Sequence, residues 1–447
     1  MPSRLINNSS QPASRSELAL FDVPVTEVGI QKSQYIEIGP ANTLTNNGPY
    51  IFRIAQNPQL LQMSKNYLLL EFRILNAHNV PISEKIADPK DATRQIDATF
   101  TAPINLIAKT FIKQLKVSLN GHEVFDSGSD YAYRAYLETE LMHSWESKHT
   151  HLKVAGYEED KTPIDDVNNT GFLQRAQYYR KGNYVQLLAP LHCDFFMQDK
   201  LMVPNIEMCI TIYRNSDQFC LLNYEEGGNY HIDIQAMKFF VKAVDVLSSV
   251  SLGLEKALLR TSAKYPIKRV QVHTCHISES RRSMPENSMF QGEIPCRIII
   301  GCVSTDAYYG NIKLTPFNFQ NFDLTQIYIT AGGIRYPSVA LAPDYENNMF
   351  ARAYFQFIDG LGYSGTDSGN LITPEKFKNG WCLYAFNLNP GEDDNGNWNL
   401  ARQGTTTVHM EFAKPIPKGG AVAIVYAEYD SLLTIDGFRN CFLDYKA

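Results

Sequence analysis

The sequence predicts an all-β protein in which one sandwich fold occurs twice, and three observations support this prediction. Short segments with alternating apolar side chains dominate the chain, for example residues 67–75 and 114–120, and such alternation is typical of strands with one buried face. Aromatic residues are frequent, with 25 Tyr and 24 Phe, and they favour strands. The third observation is an internal duplication that accounts for much of the 447 residues.

The duplication consists of similar segments that follow each other in the same order in both halves. One alternating segment ends in Asn120-Gly121 and another ends in Gly332-Gly333. Both dipeptides suit a type I′ hairpin, because its two central residues need positive φ angles. Each hairpin precedes a similar aromatic motif, Tyr-Arg-Ala-Tyr and Phe-Ala-Arg-Ala-Tyr, and the matched segments lie about 200–220 residues apart. We therefore expect two copies of one fold.

Only two segments have the apolar spacing of helices. Residues 131–145 place Tyr133, Leu137 and Leu141 four residues apart. Residues 248–260 lie near the middle of the chain and are expected to link the two halves. Long polar segments separate the strands, and we expect them to cover a partner or an outer surface, because loops of more than about 15 residues are uncommon in compact domains. These segments are residues 76–99, 150–181, 360–378 and 389–404.

Composition argues against several classes of function. The net charge is −6 and the short basic groups, residues 175–181 and Arg281-Arg282, favour solvated loops over a nucleic-acid site. The eight cysteines form no CxxC pair and are expected to be small buried side chains in a reducing compartment. Residues 1–17 are polar, without the apolar stretch of a signal peptide. No apolar run approaches the roughly 20 residues of a membrane span, so we expect no membrane insertion.

Four groups of residues are candidate sites of chemistry, and for each the sequence favours a structural role. A dinucleotide-binding G-x-G-x-x-G needs a helix directly after it, whereas the run from Gly360 to Gly365 precedes a polar loop. A zinc site needs three or four converging ligands, which the His motifs do not supply. We therefore expect no enzyme, no cofactor, and no catalytic, cofactor-binding or metal-binding residues. The other candidate groups are His149-x-His151 with Glu158, the pair His273 and His276 around Cys275, and the acidic run 392–396.

Several runs of the sequence then resemble a known family. They read Leu-Lys-Val-Ser-Leu-Asn-Gly-His-Glu-Val at 115–124 and Tyr-Ala-Tyr-Arg-Ala-Tyr-Leu-Glu-Thr at 131–139, with further runs at 195–201, 263–267, 318–322 and 345–354. Together they resemble the major capsid proteins of Maverick (Polinton) elements and adintoviruses. The resemblance covers about residues 65 to 360, is weak over the last 80 residues and is absent from the N-terminal arm.

The resemblance implies a double jelly roll, that is, two tandem eight-stranded antiparallel jelly rolls with long loop insertions and a few short helices. We expect residues 1–17 to form a flexible N-terminal arm, residues 18–250 the first jelly roll and residues 251–447 the second. The implied function is that of a major capsid protein. Three chains would form a pseudo-hexagonal capsomer, or hexon, in the icosahedral shell of a double-stranded DNA virus or a virus-like mobile element.

The implied partners are further copies of the chain, neighbouring capsomers, and penton and minor capsid proteins. The implied location is the virion, after synthesis in the host cytoplasm and assembly in the host nucleus. The long loops would form the outer tower and the trimer contacts, and the arm would tie capsomers together under the shell.

Two other functions remain open at this point. A carbohydrate-binding or adhesive β-sandwich module would be secreted, with paired cysteines and glycosylated Asn-x-Ser/Thr sites. A two-domain cupin-like metalloenzyme would hold a bound metal.

Overall fold

A computed structural model describes residues 9, 11, 13, 15–82, 85–88, 91–97, 100–225, 227–286, 288–391 and 398–445. The acidic run 392–396 and most of the predicted arm lie outside the described residues, as do parts of the predicted loop 76–99.

The described strands begin with those of the N-terminal half: β1 (Ile30–Ile38), β2 (Tyr50–Ile54), β3 (Leu60–Asn76), β4 (Lys85–Asp88), β5 (Asp91–Asp97), β6 (Thr101–Pro103), β7 (Ile112–Leu119), β8 (His122–Asp126), β9 (Val185–Ala189), β10 (Met208–Arg214), β11 (Leu221–Asn223) and β12 (Tyr230–Val246). The C-terminal half contributes β13 (Ala263–Ile277), β14 (Ser288–Phe290), β15 (Arg297–Ser304), β16 (Leu324–Ala331), β17 (Ile334–Leu341), β18 (Leu383–Asn387), β19 (Thr406–Phe412), β20 (Ala421–Ile435) and β21 (Cys441–Leu443).

The α-helices are α1 (Ile107–Thr110), α2 (Tyr131–Met142), α3 (Trp145–His149), α4 (Thr170–Tyr178), α5 (Asp217–Cys220), α6 (Ser248–Leu258), α7 (Thr305–Tyr309), α8 (Ala351–Gly360) and α9 (Pro374–Lys378). Short 3₁₀ turns occur at Ser16–Leu18, Gly128–Asp130, His151–Ala155, Arg180–Gly182 and Asp194–Met197.

Each half of the chain builds two antiparallel sheets whose four main strands have the same order, and in the second half β21 adds a fifth strand beside β20. In the first half the sheets are β1-β12-β3-β9 and β2-β10-β7-β8, and in the second half they are β13-β20-β15-β18 and β14-β19-β16-β17. Numbered from one to eight within its own half, each set runs 1-8-3-6 and 2-7-4-5. This eight-stranded arrangement of two sheets is a jelly roll. The predicted fold class and the predicted duplication are therefore confirmed.

Local sequence explains the two matching hairpins. The turn from β7 to β8 has φ angles of 48° at Asn120 and 81° at Gly121, and the turn from β16 to β17 has 56° at Gly332 and 81° at Gly333. Positive φ at both central positions is the type I′ geometry that matches the twist of the flanking strands.

The alternation of apolar and polar residues in the sequence also predicted correctly which faces of the strands are buried. In β3, Leu68, Leu70, Phe72 and Ile74 all point into the core and are fully buried. Most of the buried apolar side chains of both halves belong to one contiguous cluster. All eight cysteines are free thiols, and five of them are buried.

The helix predictions were correct in part. Residues 131–145 form α2 and the start of α3, and residues 248–260 contain α6, which connects β12 to β13. The helices α1, α4, α5, α7, α8 and α9 were not located, and α4 and α8 are the longest of these. The predicted boundary between residues 250 and 251 falls inside α6, and the predicted domain limits stay a prediction.

Candidate functional site: the interface between the two jelly rolls

Helix α2 lies between the two jelly rolls and is buried on all sides. It follows β8 of the first jelly roll, packs on α1 and β7, and contacts β13 of the second. Every residue from Tyr131 to Leu141 is buried. A surface helix normally buries one stripe only, so α2 is an internal element with neighbours in both halves.

Arg134 of α2 is the centre of a buried group of charges. Its side chain is 3% exposed, its Nε donates to Glu138 at 2.9 Å, and its Nη1 donates to Asp194 at 2.6 Å. Asp194 also accepts from the backbone N–H of Val270 in β13, at 3.3 Å. A buried charge is tolerated only when it is paired and hydrogen-bonded, and here the pairing extends from one jelly roll to the other.

Glu138 provides a second polar connection across the interface. The hydroxyl group of Tyr426 in β20 lies 3.2 Å from Glu138 and 3.0 Å from Glu428, and it can donate to one of the two carboxylates. Glu428 in turn lies 3.5 Å from a guanidinium nitrogen of Arg297. This series of polar groups runs from α2 through β20 to β15.

The protonation states follow from burial and from the neighbouring charges. Burial opposes the charge of Glu138, but Arg134 and His192 outweigh this effect and lower the pKa of Glu138 to about 2. Burial, with repulsion from Lys109, lowers the pKa of His192 to about 4. Near neutral pH a neutral His192 therefore donates through Nδ1 to an ionised Glu138, and its Nε2 is buried without a partner among the described residues.

Aromatic rings fill the interface beside these charges. The ring of Tyr136 in α2 stacks on Phe317 of the second half, with centroids 4.1 Å apart and planes inclined by 4°. Tyr133 stacks on Tyr308 at 5.7 Å and meets Phe317 edge to face at 5.5 Å. Such pairs contribute about 0.5–1.5 kcal/mol each beyond the burial of their area, so the interface is apolar as well as charged.

Part of the predicted polar loop 150–181 also contacts the second jelly roll. Asp165 accepts from the N–H of Thr315 and from the Asn318 amide, both at 2.7 Å. Glu159 binds the ammonium group of Lys376 at 2.6 Å. This part of the loop therefore contributes to the contact within the chain.

The opposite end of the interface, near β10 and α6, is also closed by hydrogen bonds. Tyr265 of β13 accepts from the N–H of Val203 at 3.0 Å and donates to the carbonyl group of Leu201 at 3.2 Å. Arg439 donates to the carbonyl group of Pro204 at 3.1 Å. Contacts at both ends and at the centre hold the two jelly rolls in one fixed arrangement.

The side chains of the two His motifs do not come together at one site. The ring of His149 stacks on Trp145 and its Nε2 lies 3.3 Å from Glu159. Glu158 instead binds Lys153 at 3.0 Å. His273 packs against Phe290, and burial lowers its pKa.

The glycine motif and the basic group also have structural surroundings. Gly360 ends α8, so the helix precedes the motif, the reverse of the dinucleotide-binding arrangement. Arg175 is buried in α4, where it binds Asp160 at 2.9 Å. Across the described residues, no group of three or more His, Cys, Asp and Glu side chains is arranged to hold a metal ion. In that same part of the chain no helix has the length and apolar character needed to cross a membrane.

Sequence reasoning identified α2 but missed its charged residues. Arg134 and Glu138 stand four residues apart in a helix that also carries Thr139 and Glu140, and this spacing was the available signal. Their partners Asp194 and Tyr426 lie 60 and 288 residues away from them, and no local pattern links residues at such separations.

Solved structures of viral and virophage proteins have the same fold as this chain. A chain of the Sputnik virophage has a TM-score of 0.60 at 12% identity, covering 99% of this chain and 94% of that one. The mavirus major capsid protein gives 0.56 at 12% identity, covering 99% and 96%, and the Faustovirus major capsid protein gives 0.55 at 12%, covering 92% of each. The fold is the double jelly roll of these major capsid proteins, as the resemblance implied.

Sequence comparison places the chain in a family. No family model matches the sequence. An uncharacterized protein of Caenorhabditis elegans is 30% identical over 428 residues, covering 94% of this chain and 99% of that protein. The chain belongs to the same family as this nematode protein.

Proposed function

We propose that this chain is a major capsid protein that assembles with copies of itself into the shell of a double-stranded DNA virus or a virus-like mobile element. The observation that carries the proposal is the pair of jelly rolls with identical strand order, joined by a buried interface. Proteins of known structure with this fold include the mavirus and Faustovirus major capsid proteins. The proposed role is structural, not enzymatic.

The arrangement suits a trimeric capsomer. Three chains placed around a threefold axis present six similar jelly rolls, so the outline is close to hexagonal. Each contact between chains joins two different surfaces, and such contacts close into a ring when the rotation is 120°. A permanent assembly of this kind is expected to bury more than about 2,000 Å² at each interface.

Open sheet edges support association between copies. Strand β17 is the last strand of its sheet, and Ile334 and Val339 on it are exposed. Exposed apolar edge strands are prone to non-specific pairing and are normally covered or charged. Contacts between chains of a capsomer would cover such edges.

The remaining assignments follow from this role. The partners are neighbouring capsomers together with penton and minor capsid proteins, and the location is the virion, with synthesis in the host cytoplasm and assembly in the host nucleus. Residues 1–17 would act as an arm, residues 18–250 and 251–447 as the two jelly rolls, and the long loops as the outer tower. We assign no catalytic, cofactor-binding or metal-binding residues.

The native mass of the purified protein tests the proposal. We expect light scattering to give three times the chain mass of 50.6 kDa, and negative-stain images to show pseudo-hexagonal particles or shells. A protein that stays monomeric at high concentration, without particles in the images, would contradict the proposed assembly.

A further inference from the structure

Residues 18–28 carry exposed apolar side chains; the segment begins at the end of the 3₁₀ turn Ser16–Leu18, passes through a turn at residues 20–21 and has no helix or strand over residues 22–28. The relative exposure is 96% at Phe21 and 101% at Val25, and Val23 is almost as accessible. Leu18, Leu20 and Val28 are also exposed. Contiguous apolar surface of this kind commonly marks an interaction site.

The segment has the pattern of a peptide that binds through one face. Phe21, Val23 and Val25 alternate with Asp22, Pro24 and Thr26. In extended backbone such alternation places Val23 and Val25 on one side, and Phe21 precedes them in the turn at residues 20–21. Proline and the residue before it favour extended conformations, which reduces the entropy lost when the segment binds.

A second apolar surface lies on α6 and the turn after β20. Leu252 and Leu259 are seven residues apart, so they lie on the same side of the helix, and both are exposed. Phe438 in the turn is 87% exposed. Its neighbour Arg439 binds Glu255 of α6 at 2.5 Å and so holds the turn beside the helix. We call Leu252, Leu259 and Phe438 the α6 patch.

The segment leaves the fold at the same end as the α6 patch. The N–H of Leu247 donates to the carbonyl group of Gly29 at 3.0 Å, and α6 begins at the next residue, Ser248. Within one chain both apolar surfaces nevertheless stay exposed. Residues 18–28 therefore do not cover the α6 patch of their own chain.

Charge favours an attraction between the two surfaces. Residues 16–31 contain three acidic residues, Glu17, Asp22 and Glu27, and no Lys or Arg. Next to the α6 patch, Lys256 and Arg260 are exposed. Opposite charges around an apolar contact steer the encounter and fix its direction.

We propose that residues 18–28 of one copy of the chain bind the α6 patch of a second copy. The seven residues 22–28, which have no helix, strand or turn, can span up to roughly 23 Å at about 3.3 Å per residue, which is enough to reach a neighbouring molecule. The inference rests on the proposed self-assembly and specifies one of its contacts.

Photo-crosslinking with isotope mixing tests the contact. Unlabelled full-length protein with a photo-crosslinking amino acid in place of Phe21 is assembled with ¹⁵N-labelled protein that lacks it. We expect crosslinks to ¹⁵N peptides that contain Leu252, Leu259 or Phe438. Crosslinks only to unlabelled peptides, only to other surfaces, or to no peptide would overturn the proposal.

Variants test whether the contact contributes to assembly. We expect Phe21→Asp with Val25→Asp, and separately Leu259→Asp, to raise the concentration needed for association at least tenfold. Leu400→Asp, at another highly exposed leucine, and Thr26→Asp, on the other side of the segment, are matched controls and should have little effect. Equal effects of the controls and the test variants would contradict the assignment.

Two further outcomes separate this inference from the proposed function. A wild-type protein that is monomeric at all concentrations would remove the proposed function. A wild-type trimer whose association does not depend on the segment would remove only the segment contact. Flotation with phosphatidylcholine vesicles that requires Phe21 and Val25, in the absence of ¹⁵N crosslinks, would assign the segment to a lipid surface and overturn the proposal.

Discussion

Replacing Arg134 by methionine should destabilise the protein strongly, because it removes the charge that the interface is built around. The methionine side chain keeps much of the volume, so the loss is mainly electrostatic. Glu138 and Asp194, whose side chains are 6% and 5% exposed, would lose their common partner. Breaking a buried ion pair on one side costs about 3–5 kcal/mol, since the remaining charge stays buried.

The loss can be converted to a change in melting temperature. With an unfolding entropy of about 2.1 cal/mol/K per residue, 447 residues that unfold as one unit should show a Tm lower by about 3–5 °C. Differential scanning calorimetry at one fixed protein concentration is the suitable assay, because association adds to the apparent stability.

A matched control distinguishes the effect of breaking a buried ion pair from the effect of breaking an exposed one. Lys238 binds Glu37 at 2.6 Å, but these side chains are 43% and 51% exposed. Exposed pairs contribute about 0–1 kcal/mol, so Lys238→Met should change Tm by no more than about 1 °C. If Arg134→Met and Lys238→Met lowered Tm equally, the buried charges would not hold the interface together and the reasoning would be refuted.

Two further predictions concern packing and pH. Gly360→Ala should destabilise the protein by about 1–3 kcal/mol, because the new Cβ would lie 2.4 Å from the carbonyl oxygen of Ala385. The control Gly253→Ala, where nothing lies within 4 Å, should stabilise by about 0.5–1 kcal/mol, so urea midpoints should move in opposite directions. Acidification should destabilise the protein between pH 6.5 and about 4, because the depressed pKa of His192 means that the unfolded chain binds the proton first. His192→Gln should reduce this slope in urea titrations, with a remainder from His143 and His273, whose pKa values burial also lowers, and it should leave the loss below about pH 4.5 that comes from Glu138; an unchanged slope would contradict the assignment.

Features encoded by neighbouring residues could be predicted from the sequence. The Asn120-Gly121 and Gly332-Gly333 turns follow from a steric requirement that two residues satisfy by themselves. The inward faces of the strands follow from period-two alternation, as in β3. These local rules, applied to both halves, were sufficient to predict that the chain contains a duplicated β-sandwich.

Helix α4 was missed because its sequence is polar and short. It lies in a segment rich in Asn, Asp and Gln, and its most specific signal is the Asn169 cap, which accepts from the N–H groups of Gly171 and Phe172. Helix α8 was missed although its start matched the aromatic motif of α2. Its burial depends on β18, where Gly360 lies against Ala385, and a contact between distant segments leaves no periodic trace.

The two halves share a strand order but use their equivalent insertions differently, and this difference explains how two similar jelly rolls adopt one arrangement. Helices α2 and α8 both follow the hairpin with a type I′ turn, yet α2 is buried between the halves while α8 packs on its own β18 and leaves Phe355 exposed. Two similar sandwiches could pair in several ways through apolar faces alone. Asp194 accepts from Val270, and Glu138 lies within hydrogen-bonding distance of Tyr426, only in the observed arrangement. Any other pairing would leave buried polar groups without these partners, at a cost of about 1–3 kcal/mol or more for each group. In the proposed capsomer, three chains would also need a fixed angle between the jelly rolls to close into one ring.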